Sequence, residues 1–472
     1  MKTIKKALAF LLMLMLAASL AACGQKTAKP KIRNVILLIS DGTSVGVSTL
    51  SRWRLAYDEA KGTFDTNTRL CMDDYVSGLI RTYWQQSDGS PGAITDSAPS
   101  ATAYSTGYKS QNQFVGMGVD GKPRATVLEL AKSLGKSTGL VVTVNLQNAT
   151  PAAFAAHTTD RSDYETIAAQ MLTSGADVLL GGGARYMQNR ADGRDLIAEL
   201  QKMGYGYVTN ADQLAAFKGT KVYGLFASGS MEYEIDRPMI APQQPSLPAM
   251  TDKAISLLSQ NDKGFFLMVE GSKVDWGAHN HDTAGIVSEF LAFDKAVKSA
   301  MDFAKGRTDT MVLVVEDHGT GGISIGSSLT DANYSSYPLK NIIQPLTDAK
   351  ITVQGAIELL AEGRDAKEVL GLMGINDPTA EELTTAKTIK LDVDELNADD
   401  QSRVLLGQML SRRCDIGWTT TGHTGEDVVL YSYLPGNERL TGLYDNTEIN
   451  KAICDAWGAK LTDAVCPHMA KK

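Results

Sequence analysis

The sequence predicts an α/β protein: a three-layer sandwich with a mostly parallel central sheet and a helical crown or lid inserted late in the chain. Three observations predict it. Short, β-rich apolar runs recur at 35–39, 140–144, 178–180, 222–226, 265–269, 311–315 and 428–431. Helix-patterned stretches such as 126–134 and 288–303 lie between many of them. Near-continuous apolar strands alternating with helices mark a parallel sheet covered on both faces. Residues 327–413 then turn helical and more charged, as at 355–363, 366–373 and 380–386, which reads as an insertion beside the strand ends.

The expected divisions run in order along the 472 residues. Residues 1–22 form a lipoprotein-type signal peptide, 23–32 a tether, 33–326 the first part of the core, 327–413 the insertion, and 414–472 the last part of the core with a C-terminal tail. Lys2, Lys5 and Lys6 precede an apolar run over 7–22 that ends Leu20-Ala21-Ala22-Cys23. Charge, apolar core and small residues in that order make a secretory signal. Its end resembles a bacterial lipobox, whose Cys becomes the lipidated first residue of the mature protein. The expectation is an exported, envelope-associated lipoprotein, facing the periplasm or the cell surface, with a lipid anchor at Cys23. No other apolar run is long enough to span a bilayer.

Composition narrows the function. Lys and Arg number 46 against 54 Asp and Glu, a net charge of −8. An acidic chain does not read as a dedicated nucleic-acid partner, and 7% aromatic residues leave little for base-stacking platforms. Of five cysteines, Cys71, Cys414, Cys454 and Cys466 remain after Cys23. An exported chain is able to oxidise them in any of three connectivities, with Cys454–Cys466 as the local candidate. They lack the paired short spacings of a structural zinc site.

In open α/β sheets the ligand crevice lies at the carboxyl ends of the strands, so the chemistry is expected at those ends. The run 35–39 ends at Ser40-Asp41-Gly42. A carboxylate there is costly unless paired or metal-bound, or else caps the next segment. In Thr95-Asp96-Ser97-Ala98-Pro99 the small residues, Pro99 and a later Gly107 place Ser97 at a helix start. That position favours a negative oxygen or a phosphate; the alternative is a cap by Asp96 or Ser97. The run is not Gly-x-Ser-x-Gly, which disfavours an α/β-hydrolase. The run 140–144 leads to Asn148, Thr150, His157 and Arg161, and 265–269 leads to Glu270, Asp275, Trp276 and His279. Asp275 and His279, four apart, share one helical face and suit one metal. The run 311–315 ends at Glu316-Asp317-His318-Gly319, and His423 sits in a Gly-flanked turn before 428–431. Only six histidines occur in the chain, and His279, His318 and His423 fall at these places. Imidazole with carboxylate is a natural zinc set. The remaining candidates have plainer readings. His157 orders the segment carrying Arg161, His281 is outer shell or surface, His468 lies in the tail, Trp418 is a packing or rim residue and Tyr104 belongs to the core.

Together these residues resemble the alkaline phosphatase family. The runs Asp96-Ser97-Ala98-x-Ser100-Ala101-Thr102-Ala103, Ala149-Thr150-Pro151-Ala152-Ala153…Arg161, Glu270-Gly271…Asp275-x-x-x-His279, Asp317-His318 and His423-Thr424-Gly425 stand in family order. The likeness spans roughly 33–458 and is vague only in the insertion. It implies one zinc site from Asp275, His279 and His423, and a second from Asp41, Asp317, His318 and the oxygen of Ser97. A third, magnesium-type site would use Asp41, Thr150 and Glu270. It further implies a phosphoserine at Ser97, a bidentate phosphate clamp by Arg161, broad specificity for phosphate monoesters, and a homodimer.

Two positions depart from the best-known bacterial pattern, which has Asp at the place of Asn148 and Lys at the place of Trp276. Asn148 removes negative charge near the third metal, and Trp276 removes a cation from the phosphate side. Weaker retention of that metal and of product phosphate is expected. Trp276 reads alternatively as a lid or subunit contact. Among rivals, a sulfatase needs an Arg that the Ser97-Ala98-Pro99-Ser100-Ala101 run lacks. A phosphodiesterase of the same superfamily would usually carry Thr as nucleophile. A non-catalytic phosphate- or metal-binding surface lipoprotein has no need of Ser97 beside a complete two-metal set.

Overall fold

The computed structural model describes residues 31–188, 190–393 and 401–464. Ten strands form one sheet: β1 (Asn34–Ser40), β2 (Val76–Arg81), β3 (Ser137–Asn145), β4 (Val178–Gly182), β5 (Gly206–Val208), β6 (Val222–Leu225), β7 (Phe265–Gly271), β8 (Thr310–Glu316), β9 (Val428–Tyr433) and β10 (Gly442–Asp445). Their spatial order is β10-β2-β9-β8-β1-β7-β3-β4-β6-β5. Neighbours are parallel throughout, except that β9 runs against both β8 and β2. The apolar runs read from the sequence all lie in this sheet. β2, β5 and β10 went unread because they are short and partly exposed, so their sequence carries no continuous apolar signal.

The central strands are buried on both faces and alternate between two cores. Val35, Leu37 and Ile39 of β1 enter one hydrophobic cluster with Phe266, Met268, Met311 and Leu313. Ile36 and Leu38 enter the other with Phe265, Leu267, Val312 and Val314. Successive strand residues point to opposite faces, so apolar residues are needed at every position. Helices Ser97–Thr106, Ala149–Ala155 and Thr447–Trp457 contribute to the first cluster, and Leu247–Leu258 and Thr283–Ala304 to the second. The expected sandwich of helix, sheet and helix is therefore present.

The late helical region has its own small core. Ile357, Leu360, Val369, Leu370, Leu406 and Met409 pack together from helices Val353–Ala361, Ala366–Leu372 and Gln401–Arg413. Two buried carboxylates of the main body receive the start of the helix Val353–Ala361. Asp236 Oδ1 accepts from Thr352 N at 2.7 Å, and Asp282 Oδ2 accepts from Val353 N at 2.7 Å.

Among the described residues Cys71, Cys414 and Cys454 form no disulfide. Cys23, Cys466 and His468 lie outside the described residues, as do the signal segment and the proposed Cys454–Cys466 pair. No helix among the described residues is long and apolar enough to cross a membrane.

Candidate active site

The register of the three central strands assembles the site. Ser40 pairs with Gly271 of β7 on one side and with Glu316 of β8 on the other. The strands thus stop level, and Asp41, Glu270 and Asp317 arrive at one edge. Gly42 permits the turn that follows. Its φ is +68°, and a Cβ there would lie 2.5 Å from Asp275 Cα. Its N–H donates to Asp317 Oδ1 at 2.9 Å.

Ser97 opens the helix Ser97–Thr106, all of whose residues are buried. Asp96 caps it, accepting from Ala98 N at 2.6 Å, and Gly107 ends it at φ 72°. The helix is fastened to the end of β8, with Ser100 Oγ donating to Asp317 O and Tyr104 Oη to Glu316 O. Tyr104 is a buried core residue as the sequence suggested. These bonds hold Ser97 Oγ 3.2 Å from His318 Nε2.

Three imidazoles converge. Nδ1 of His279 faces the Thr421 carbonyl at 2.5 Å, and Nδ1 of His423 faces the Thr95 carbonyl at 2.7 Å. A carbonyl only accepts, so in both rings Nδ1 carries a proton and Nε2 is turned into the site. Those two Nε2 atoms lie 3.2 Å apart. Asp275 stands between them, Oδ2 3.3 Å from His279 Nε2 and Oδ1 3.6 Å from His423 Nε2. Thr320 Oγ1 donates to Asp275 Oδ1 at 2.5 Å. His318 stacks on His423 with centroids 3.8 Å apart, and its Nε2 lies 3.2 Å from Asp317 Oδ2 and 3.5 Å from Asp41 Oδ1.

The donors fall into two groups: Asp275 with His279 and His423, and Asp41 with Asp275 and His318. Asp275 lies within reach of both, a place between the groups that the sequence did not reveal. Buried polar atoms normally find partners. Asp41 Oδ1, Thr150 Oγ1, Glu270 Oε2 and Asp317 Oδ2 are buried among one another and His318 without a well-formed hydrogen bond. Burial, then the neighbouring carboxylates of Asp317, Asp275 and Glu270, hold the Asp41 carboxyl well above its ordinary range. Burial likewise raises Asp317, and pushes Glu270 up to about 7. Burial also holds His318 well below the usual imidazole range, helped by His423. Buried carboxylates crowded at such distances are unfavourable without cations between them. Oxygen and nitrogen donors of this kind suit divalent metals, so the residues present fit the metals the resemblance implies.

Arg161 is aimed from the side. Its Nη1 donates to Asp96 Oδ1 at 2.9 Å and its Nη2 to Asn148 Oδ1 at 3.1 Å. Asn148 also caps the helix Ala149–Ala155, accepting from Ala149 N at 2.7 Å. Asp96 therefore both caps the Ser97 helix and anchors Arg161. The sequence marked Asp96 only as a cap; the second role joins residues 65 apart. His157 has both ring nitrogens engaged, on Gly116 O at 2.8 Å and on Glu129 Oε1 at 3.2 Å, and so braces the turn before Arg161. Trp276 is half-buried, and the buried Lys273 ammonium lies 5.6 Å from its ring centroid.

Residues 32–459 match the alkaline phosphatase family. Alkaline phosphatase 4 of Bacillus subtilis is 38% identical over 436 residues, covering 90% of this chain and 89% of that one. The crystal structure of the Thermus thermophilus alkaline phosphatase superposes with a TM-score of 0.80 at 28% identity, over 93% of this chain and 95% of its own. A variant of the alkaline phosphatase of the Antarctic bacterium TAB5, with magnesium bound in its M3 site, superposes with a TM-score of 0.64 at 26% identity, over 92% of this chain and 100% of its own.

Proposed function

Because the chain belongs to the alkaline phosphatase family and is a metal-dependent phosphomonoesterase, we propose that it hydrolyses a broad range of phosphate monoesters through a phosphoserine at Ser97. The observation that carries this reading is the 3.2 Å approach of two imidazole nitrogens, His279 Nε2 and His423 Nε2, beside Asp275 in the site that holds Ser97 Oγ. Asp275, His279 and His423 would hold one zinc, and Asp41, Asp317, His318 and Ser97 a second. Asp41, Thr150 and Glu270 would hold magnesium, supported by their clustered buried oxygens. Bound there, the metals would supply Lewis acidity at the attacking and leaving oxygens.

The chain's own groups do the rest. Ser97 Oγ attacks phosphorus, the ester P–O bond breaks, and the alcohol leaves with a proton. Water then attacks the phosphoserine, inorganic phosphate departs and Ser97 regains its proton. Arg161, already oriented by Asp96 and Asn148, would donate to two phosphate oxygens and hold the charge that develops there. The helix start at Ser97 favours the same charge. No residue of this set reads the alcohol, hence the breadth of substrates. On the same reading the chain is exported, anchored by lipid at Cys23, works as a homodimer, and carries residues 327–413 as a crown beside the site.

Zinc content and the Ser97→Ala variant test this directly. Wild type should bind about two zinc ions and cleave a nitrophenyl monoester far faster than a bis-nitrophenyl diester. Ser97→Ala should lose activity by about a thousandfold or more while keeping its fold. A diester preference, or full activity without Ser97, overturns the reading.

A further inference from the structure

The sequence left His281 as outer shell or surface, yet it is 5% exposed and held on every side. Its φ is +53°, in the left-handed region that non-glycine residues seldom adopt. Nε2 faces the Thr420 carbonyl at 2.9 Å, so that nitrogen carries the proton. Nδ1 then accepts from Gln408 Nε2 at 3.2 Å. The ring stacks on Trp418 with centroids 4.9 Å apart and planes 6° from parallel.

The same segment is gripped by its backbone. Ser411 Oγ donates to His281 O at 2.8 Å and accepts from Trp418 Nε1 at 3.0 Å. Gly407 lies so close that a Cβ there would sit 2.2 Å from Asn280 O. Gln408, Ser411 and Gly407 all belong to the helix Gln401–Arg413, the last of the crown. Thr420 and Thr421 belong to the loop that ends at His423, and Thr421 O fixes the ring of His279.

We propose that His281 is a positioning residue for the His279–His423 metal pair, through which the crown's last helix sets their spacing. The inference rests on the metal reading above. A ring that ties the end of one ligand helix to the loop carrying the other ligand limits their separation, and outer-shell groups of this kind tune metal retention.

The test uses the full-length zinc-loaded enzyme and two variants. His281→Phe keeps the stack but removes both polar contacts; Gly407→Ala wedges the helix away without touching a ligand. Each should release zinc to a chromogenic chelator about tenfold faster or more, beyond what any fall in the unfolding midpoint of the chelated protein accounts for. Activity lost during chelation should return with added zinc, through kcat at unchanged KM. Zinc bound by all three proteins and released at the wild-type rate overturns the proposal. So does a fall in the chelated midpoint that accounts for the faster release. A wild type that binds no zinc removes the metal reading itself and is thereby told apart from either result.

Discussion

His279 Nε2 and His423 Nε2 lie 3.2 Å apart, each ring turning its Nδ1 to a backbone carbonyl. A nitrogen that binds a metal cannot also hold a proton, so metal and protons compete for this pair. Adding zinc to the chelated protein near pH 6.5 should therefore release protons, measured calorimetrically in buffers of different ionisation enthalpy. His423→Phe should bind about one zinc fewer and release fewer protons. Equal proton release in the variant would count against the pairing.

Asn148 joins two functions, since its oxygen both caps a helix and steers Arg161. Charging it, and restoring a cation opposite, should change how the site holds anions and the third metal. The double variant Asn148→Asp/Trp276→Lys should bind product phosphate about tenfold more tightly, about 1.4 kcal/mol, and retain magnesium longer in dialysis. An unchanged inhibition constant for phosphate would show that neither departure weakens product binding.

Gly42 should tolerate no side chain. At φ +68°, with Asp275 Cα 2.5 Å from where a Cβ would stand, Gly42→Ala must move the backbone that carries Asp41 or Asp275. A loss on the order of 3 kcal/mol in stability is expected, together with loss of zinc. Denaturant unfolding and metal analysis of the purified variant check both.

Asp282 supplies a pH dependence. Burial carries its carboxyl up to about 6, although the amides of Gly285, Val353 and Ala284 pull the other way. Above its unfolded value and below about 6, the folded chain keeps a proton that the unfolded chain has released. This contribution is therefore full at low pH and is lost as pH rises through about 6, on the order of 3 kcal/mol in all. With both proteins chelated, the difference in unfolding free energy between wild type and Asp282→Asn should slope between about pH 4 and 6 and flatten above it. A constant difference across that window would refute the assignment.

What could be read without coordinates was whatever repeats locally. Apolar runs bounded by helical periodicity identify β1, β3, β7 and β8 and mark their carboxyl ends. Helix-start chemistry places Ser97, and four-residue spacing puts Asp275 and His279 on one face. The sequence by itself thus determined the α/β class and the chemical types gathered for the site. It did not carry the short edge strands β2, β5 and β10, the place of Asp275 between the two donor groups, or the grip of Asp96 and Asn148 on Arg161. Nor did it show the docking of Gln401–Arg413 on the Asn280–His281 backbone. Those were decided only by the tertiary structure. The physical reason is distance along the chain: Ser40 lies level with Gly271 and Glu316 because of strand pairing across more than two hundred residues, and no local periodicity encodes which strands pair or in what register.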